Sequence, residues 1–340
     1  MADSQPEYIF GPCSAESREQ VLLSARLIQE ACGNTPFIFR AGAWKPRTSP
    51  YSFQGVGAQG LAWLQEVKAL YGLPVATEVA TPEHVKEAAD KGIDYLWIGA
   101  RTSANPIAVQ ALAEAIRQQQ TDGVHTIRGV LIKNPVNADA ALWIGNIERL
   151  EQTGVPVMAV HRGCGHQPCW FMAHAVHQAK PEIPLLLDPS HMSGNAESVP
   201  SLAYKATELG YNGMMVEIHP HPEQALSDAG QQVSPESTPC LLEPFMNYPG
   251  ESDGHEELRW LRAEIDELDD RLWETIVARM DVSRRIGTWK KAHGVAPLQP
   301  ERYQQLLQQR QSWAETRHLD ADFVEQVLSR LHSESLKQQE

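Results

Sequence analysis

The sequence has no run approaching the roughly eighteen consecutive apolar residues that a membrane-spanning helix needs, so we expect no membrane association. It opens Met1-Ala2-Asp3-Ser4-Gln5-Pro6-Glu7, with neither the basic nor the apolar region of a secretory signal, and none is expected. Cysteine is scarce. The five thiols, Cys13, Cys32, Cys164, Cys169 and Cys240, are an odd number and widely spaced, which suits a reducing cytoplasm better than a disulfide framework. Positive charge is also short: 29 Lys and Arg face 43 Asp and Glu, a net charge of −14. That balance argues against nucleic-acid binding and makes any local gathering of cations informative. No Gly-x-Gly-x-x-Gly motif opens the chain, which weakens a dinucleotide-binding reading.

What is present is enough chain for one large domain and one small one: 340 residues, 42% of them hydrophobic. Short apolar runs bounded by turns predict strands at Tyr8–Phe10, Phe37–Phe39, Pro74–Ala76, Tyr95–Ile98, Gly129–Ile132, Val155–Val160, Ile183–Leu187 and Met214–Val216. Between them lie stripes at helical spacing, such as Val21, Leu22, Ala25, Ile28 and Ala31, then Leu61, Leu64, Val67 and Leu70, then Val109, Leu112 and Ile116. Eight such strands alternating with helices predict an α/β fold, a (β/α)8 TIM barrel; a doubly wound open sheet is the alternative.

In such barrels the site sits at the C-terminal ends of the strands. Here those ends carry Arg40, Lys45, Arg47, Arg101, Lys133 and Arg162, and the donor-bearing Cys13, His161, His191 and Glu217. The segment Arg40–Pro50 alone holds three cations and the hydroxyls of Thr48 and Ser49, stiffened by Pro46 and Pro50. Taken singly it reads equally as an exposed basic turn. Cations at so many strand ends imply a polyanionic substrate, phosphorylated by preference. Cys13, His191, Glu217 and Asp228 mix a thiolate, an imidazole and carboxylates, a set suited to Mn, Fe, Co or Zn and not to Mg. A buried cysteine and satisfied histidines are the competing reading. The Cys164 and Cys169 pair, beside His161 and His166, reads as loop structure.

Together these strand ends resemble the 3-deoxy-D-arabino-heptulosonate 7-phosphate (DAHP) synthases, in the short subfamily that shares its barrel with 3-deoxy-octulosonate 8-phosphate synthase. The motifs that carry the resemblance are Gly11-Pro12-Cys13-Ser14, Arg40 with Lys45-Pro46-Arg47-Thr48-Ser49-Pro50, Ile98-Gly99-Ala100-Arg101, Asp188-Pro189-Ser190-His191, Glu217-Ile218-His219-Pro220 and Ser227-Asp228. The resemblance implies condensation of phosphoenolpyruvate with erythrose 4-phosphate. It implies a divalent metal on Cys13, His191, Glu217 and Asp228, acting as a Lewis acid on the aldehyde oxygen. Arg40, Lys45, Arg101, Lys133 and Arg162 would hold phosphoenolpyruvate. Arg47, Thr48 and Ser49 would take the sugar phosphate, with Lys45 as proton donor. The octulosonate synthases carry a Lys-Ala-Asn type loop where this chain has Lys-Pro-Arg-Thr-Ser, which points to the four-carbon sugar. This chain departs from common patterns at Asn134-Pro135, where many relatives have Arg-Gly, and at Thr102-Ser103-Ala104-Asn105, where an Asn-rich loop is usual. With a strand expected at Tyr8, the N-terminal regulatory extension of many relatives is not expected, and control is expected to come from elsewhere.

We assign 1–244 to the barrel, 245–256 to a Pro-, Gly- and Ser-bearing linker, and 257–340 to a second, all-helical domain. Leu258, Leu261, Ile265, Leu268 and Leu272 step by three and four along one long helix to about Lys291, with further helices from about Pro300 to Thr316 and Asp320 to Lys337. Three helices cannot bury that stripe alone, so a homodimer with interlocked helices is expected. At about 100° per residue, Arg279 and Lys290 lie about 20° apart on the first helix. A solvated face is one reading. The set Arg262, Arg279, Lys290, Arg302, Ser335 and Gln339 resembles the all-helical chorismate mutases. That implies a small-molecule dicarboxylate, chorismate, with Arg262 of a partner subunit, Arg279 and Arg302 on its carboxylates, Lys290 and Gln339 at the ether oxygen, and Ser335 adding a polar contact. Tyr303 stands where many relatives have Glu. The alternatives are a tail that is a non-catalytic sensor and dimerisation module, and an octulosonate synthase barrel.

Overall fold

The computed structural model describes residues 7–46, 49, 51–122, 127–165, 167–247 and 255–339. Arg47, Thr48, Pro50, His166 and the linker residues 248–254 lie outside the described residues. The chain forms two compact units, Met1–Glu264 and Ile265–Glu340.

The first unit is a closed barrel of eight parallel strands in chain order: β1 (Glu7–Gly11), β2 (Ile38–Arg40), β3 (Val75–Val79), β4 (Tyr95–Ile98), β5 (Gly129–Lys133), β6 (Val157–His161), β7 (Leu185–Leu187) and β8 (Gly213–Glu217). Closure is made by β1 on β8, with Tyr8 opposite Met214 and Ile9 opposite Met215. The open-sheet alternative is thereby excluded. Residues of one strand alternate between two cores. Ile9, Ile38, Trp97, Leu131, Leu186 and Met215 fill the barrel lumen. Phe10, Phe39, Ile98, Ile132 and Val216 face the surrounding helices. Burial on both faces is why these strands read as unbroken apolar runs.

The helices are α1 (Arg18–Cys32), α2 (Ala58–Tyr71), α3 (Pro82–Asp90), α4 (Ala100–Ser103), α5 (Pro106–Asp122), α6 (Ala140–Glu151), α7 (Trp170–Ala179), α8 (Pro189–Ser193), α9 (Val199–Glu208) and α10 (Thr238–Asn247). Val21, Ala25 and Ile28, Leu61, Leu64 and Val67, and Val109, Leu112 and Ile116 are buried as their spacing predicts; Leu70 is exposed. Strand β3 runs further than expected, through Thr77-Glu78, because those residues pair with Leu96 and Trp97 of β4. A Gly-x-Gly-x-x-Gly spacing does occur at Gly55, Gly57 and Gly60, ahead of α2, and it serves packing: a Cβ at Gly55 would meet the Ala43 carbonyl oxygen at 2.3 Å, and one at Gly60 the Ala15 Cβ at 3.2 Å.

Helix α11 (Glu256–Ala292) begins in the first unit. Trp260 is fully buried and stacks on His174 of α7, with ring centroids 5.5 Å apart. The two His174 nitrogens meet Glu264 at 2.6 Å and Glu257 at 3.1 Å. The second unit comprises the rest of α11 with α12 (Pro300–Glu315) and α13 (Ala321–Lys337), close to the expected helix limits. Pro300 at the start of α12 and the Asp320 cap, which accepts from the Phe323 amide, set two of those ends. Among the described residues no helix is long and apolar enough to cross a membrane.

Candidate active sites

The C-terminal mouth of the barrel is organised around Arg40, at the end of β2. Its guanidinium is fully buried, donates to Glu217 Oε1 at 3.1 Å and to the Cys13 carbonyl at 3.4 Å, and lies 4.7 Å from the Trp97 ring centroid. Nε and Nη1 have no partner among the described residues. Buried donors left open in this way are costly, and an anionic acceptor would satisfy them. Gly11 allows β1 to approach Arg40 of β2 closely here: its φ is +148°, and a Cβ would meet the Arg40 carbonyl oxygen at 2.0 Å.

Around Arg40 stand Lys45, Lys133, Glu78, Asp188 and Glu217, each less than a tenth exposed. Lys133 meets Asp188 at 2.6 Å, and Lys45 reaches Glu78 at 3.8 Å and the Cys13 carbonyl at 3.2 Å. Burial alone would neutralise such groups; pairing keeps them charged. Burial pulls the Lys45 amine down, but Cys13, Glu78 and Glu217 outweigh it and hold it above the ordinary lysine value. Asp188 and Glu217 resist the upward push of burial through His191 and their cations, and stay below the usual carboxylate range. A cavity of about 190 Å³ opens over this layer, lined among the described residues by Arg40, Lys45, Arg101, Lys133 and Arg162, with Glu78 and Asp228 as the acids. Five cations against two carboxylates make the mouth an anion site.

Beside it Cys13, Glu217 and Asp228 place one donor atom each within 4.8 Å of one another. Cys13 Sγ lies 2.9 Å from Asp228 Oδ2. His191 Nε2 is 3.7 Å from Glu217 Oε1, and its Nδ1 meets Asp188 at 2.9 Å, which turns Nε2 toward the cluster. Burial, then Glu217 and Asp228, push the Cys13 thiol up, so a bound divalent cation would displace its proton. The donor set fits a borderline divalent ion. Asp228 adopts a left-handed backbone, φ +52°, a region that Asp tolerates.

His161 is not part of this cluster, contrary to its place among the strand-end candidates. Its side chain points away from the mouth, between Trp143, Trp170 and Tyr211, and Nδ1 bonds the Tyr211 hydroxyl at 2.8 Å. One residue's shift along β6 moves a side chain to the other face. Ser49, in the same segment as Arg47 and Thr48, is exposed and bonds the Tyr51 amide.

In the second unit, Arg279 of α11 bonds the Leu331 carbonyl at 3.2 Å and the Ser335 hydroxyl of α13. Three turns further along α11, Lys290 bonds Gln339 Oε1 at 3.2 Å. His332 of α13 packs on the Tyr303 ring, centroids 4.4 Å apart; burial, Arg279 and Lys290 all lower its pKa. Gly287 lets the chain end come close, since a Cβ there would meet Gln339 Cα at 2.6 Å. Arg302 stays exposed, and so does Arg262, which belongs to the first unit.

Comparison with known proteins gives a family match for each unit. Residues 2–246 match the DAHP synthetase I family, and residues 261–340 match chorismate mutase type II. The chain belongs to the DAHP synthetase I family. It is 32% identical over 232 residues to the phospho-2-dehydro-3-deoxyheptonate aldolase of Thermotoga maritima, across 66% of this chain and 64% of that protein's length. The 2-dehydro-3-deoxyphosphooctonate aldolase of Variovorax paradoxus is 29% identical over 71% of this chain and 90% of its own. A crystal structure of the Thermotoga maritima DAHP synthase superposes with a TM-score of 0.61 at 31% identity, over 71% of this chain and 69% of that one.

Within this DAHP synthetase frame, some residues at the mouth carry no signal in the sequence. Trp97 sits inside an ordinary-looking strand, and Glu78, expected just past the end of one, is drawn into β3. Asp188 belongs to a recognised motif, yet its double contact with Lys133 and His191 is visible only in space. Asn134, at a departure from common relatives, accepts from the Arg162 amide at 2.7 Å and donates to the Gly163 carbonyl at 3.0 Å, so it braces the turn that carries Arg162.

Proposed function

We propose that the chain is a bifunctional enzyme of aromatic amino-acid biosynthesis. The barrel joins phosphoenolpyruvate to erythrose 4-phosphate, giving DAHP, and the tail rearranges chorismate to prephenate. The observation that carries the first reading is the five-cation cavity placed beside the Cys13, Glu217 and Asp228 donors. Arg40, Lys45, Arg101, Lys133 and Arg162 hold the carboxylate and phosphate of phosphoenolpyruvate. Arg47, Thr48 and Ser49 take the phosphate of the sugar. Fixed cations offset the repulsion between two polyanions and hold the reacting carbons together. Lys45, kept charged in the pocket, is the proton donor. Cys13, His191, Glu217 and Asp228 hold a divalent ion, Mn, Fe, Co or Zn, which when bound polarises the aldehyde carbonyl as a Lewis acid.

The tail needs no nucleophile, because the rearrangement is unimolecular. Arg279 and Arg302, with Arg262 of a partner subunit, grip the two carboxylates. Lys290 and Gln339 face the ether oxygen where charge grows, and Ser335 orients Arg279. A homodimer completes this pocket. Supporting it, Ile265, Leu268 and Leu272 of α11 are more than half exposed in a single chain, a stripe that association would cover. We assign 1–244 and 257–340 to the two activities, joined by 245–256. We place the enzyme in the cytoplasm, supported by an odd number of widely spaced cysteines in the sequence. Ligands at the mutase pocket regulate the barrel in this reading.

Both reactions are assayed on the full chain, with and without chelator. Loss of condensation on chelation and its return with Mn2+ are expected. Absence of condensation with every divalent ion would overturn the barrel reading, and absence of prephenate formation would leave the tail a sensor and dimerisation module. The octonate aldolase relatives favour one further comparison: arabinose 5-phosphate preferred over erythrose 4-phosphate would make this an octulosonate synthase. Synthase rates unchanged by saturating chorismate or prephenate would remove the regulatory claim.

A further inference from the structure

The loop that leaves β8 returns to it as a tight lasso. Val233 donates to the Glu217 carbonyl at 3.0 Å, His219 donates to the Val233 carbonyl at 3.0 Å, and Ile218 pairs with Val233. Asp228 rides on this lasso, and Cys13 comes from the opposite end of the barrel sequence. One side chain ties them. Gln232, 1% exposed, accepts from the Cys13 backbone amide through Oε1 at 3.0 Å and donates through Nε2 to the Ser227 carbonyl at 2.8 Å. The two bonds use opposite polarities, and the carboxamide serves both at once, one end accepting and the other donating. The Ser14 and Ser227 hydroxyls, 2.5 Å apart, add a second bond between the same two segments. Gln231, next in the chain, bonds Glu217 Oε2 at 2.8 Å.

From this clasp we infer that Gln232 is a positioning residue for the metal, setting the separation of the Cys13 and Asp228 donors. The inference rests on the metal reading above. Gln232 lies behind the donors and lines none of the substrate cavity, so it acts through the backbone on either side of it. With the ion away Cys13 keeps its proton and its thiol donates to Asp228 Oδ2 at 2.9 Å, yet nothing local in the sequence brings residues 215 positions apart to ligand spacing. The clasp does so before the ion arrives. Outer-shell partners of this kind govern metal affinity by about ten- to a hundredfold.

The test is Mn2+ titration of the metal-free full chain, read by the electron paramagnetic signal of free Mn2+, together with the thiolate-to-cobalt absorption of the Co2+ form. In Gln232→Met, which keeps the volume and loses both bonds, Mn2+ binding should weaken about ten- to a hundredfold and the cobalt–thiolate band should shift or fade. The KM for phosphoenolpyruvate at saturating Mn2+ should stay within about twofold. A merely structural glutamine would lower the thermal midpoint and leave Mn2+ affinity and the cobalt spectrum as in wild type, and that result overturns the inference. Should Gln232→Met not fold, Gln232→Glu retains the bond from the Cys13 amide and loses the one to Ser227; wild-type Mn2+ affinity in that variant overturns it equally. If the wild-type chain itself binds no Mn2+ or Co2+, the metal reading fails first.

Discussion

Substituting Gly287 by alanine separates the two proposed activities with a single methyl group. The added Cβ would sit 2.6 Å from Gln339 Cα and 2.8 Å from the Gln339 carbonyl oxygen, whereas ordinary contact begins near 3.4 Å. The chain end must therefore retreat by about 0.8 Å, the difference between the two distances. Overpacking costs roughly 1–3 kcal/mol, and alanine returns about 1 kcal/mol of helix propensity inside α11. The net loss of about 0–2 kcal/mol leaves the unit folded. Geometry suffers more than stability, because Gln339 carries the amide that faces Lys290 at 3.2 Å. A misplacement near 1 Å lowers catalysis by up to about a hundredfold. We expect mutase kcat/KM to fall by about ten- to a hundredfold in a continuous chorismate assay, with condensation by the barrel unaltered. Mutase kcat/KM within twofold of wild type would refute the reasoning, and so would an equal fall in both activities.

Three other perturbations test the barrel. Arg40→Lys removes the fork that serves Glu217, Cys13 and the open donors at once, so kcat/KM for phosphoenolpyruvate should drop by about a hundredfold, equivalent to about 3 kcal/mol of charge-assisted bonding; a change under threefold would exclude Arg40 from substrate binding. Trp260→Ala empties a fully buried site between α7 and α11 and should cost about 3–5 kcal/mol in urea unfolding of the first unit; a cost below about 1 kcal/mol would mean the indole is not packed there. His161 is pushed down to about 3 by burial and by Arg162. Between that value and the ordinary one near 6.5, the unfolded chain binds a proton that the folded chain does not, so stability rises with pH across this window and is lost as pH falls. From about pH 7.5 to about pH 5 the loss is roughly 2 kcal/mol, and His161→Gln should abolish it. An identical pH slope in urea midpoints of wild type and variant would contradict the burial of a neutral imidazole.

Much of the architecture was legible because it depends on local pattern. Strands buried on both faces announce themselves as apolar runs, and the helices of the second unit follow from three-and-four spacing, Pro300 and the Asp320 cap. The strand ends of a parallel barrel share one mouth by topology, so Arg40, Lys133, His191 and Glu217 could be gathered without coordinates. His161 was misplaced because a one-residue register choice sets which face a strand-end side chain takes, and the run Val157–His161 looks alike in either phase.

The order of strands, the two-part division and the residue types at the mouth were determined by the sequence alone, since each rests on periodicity and on chemistry carried by single residues. Tertiary structure decided the rest: that Asp188 serves Lys133 and His191 together, that Gln232 bridges Cys13 and Ser227, that Trp260 is buried against α7, and that Gly287 makes room for Gln339. Apart from the Asp188–His191 pair, three residues apart, these are contacts between segments far apart in the chain, each made by a hydrogen bond or two or a few ångströms of clearance, and no local spacing encodes distances of that kind.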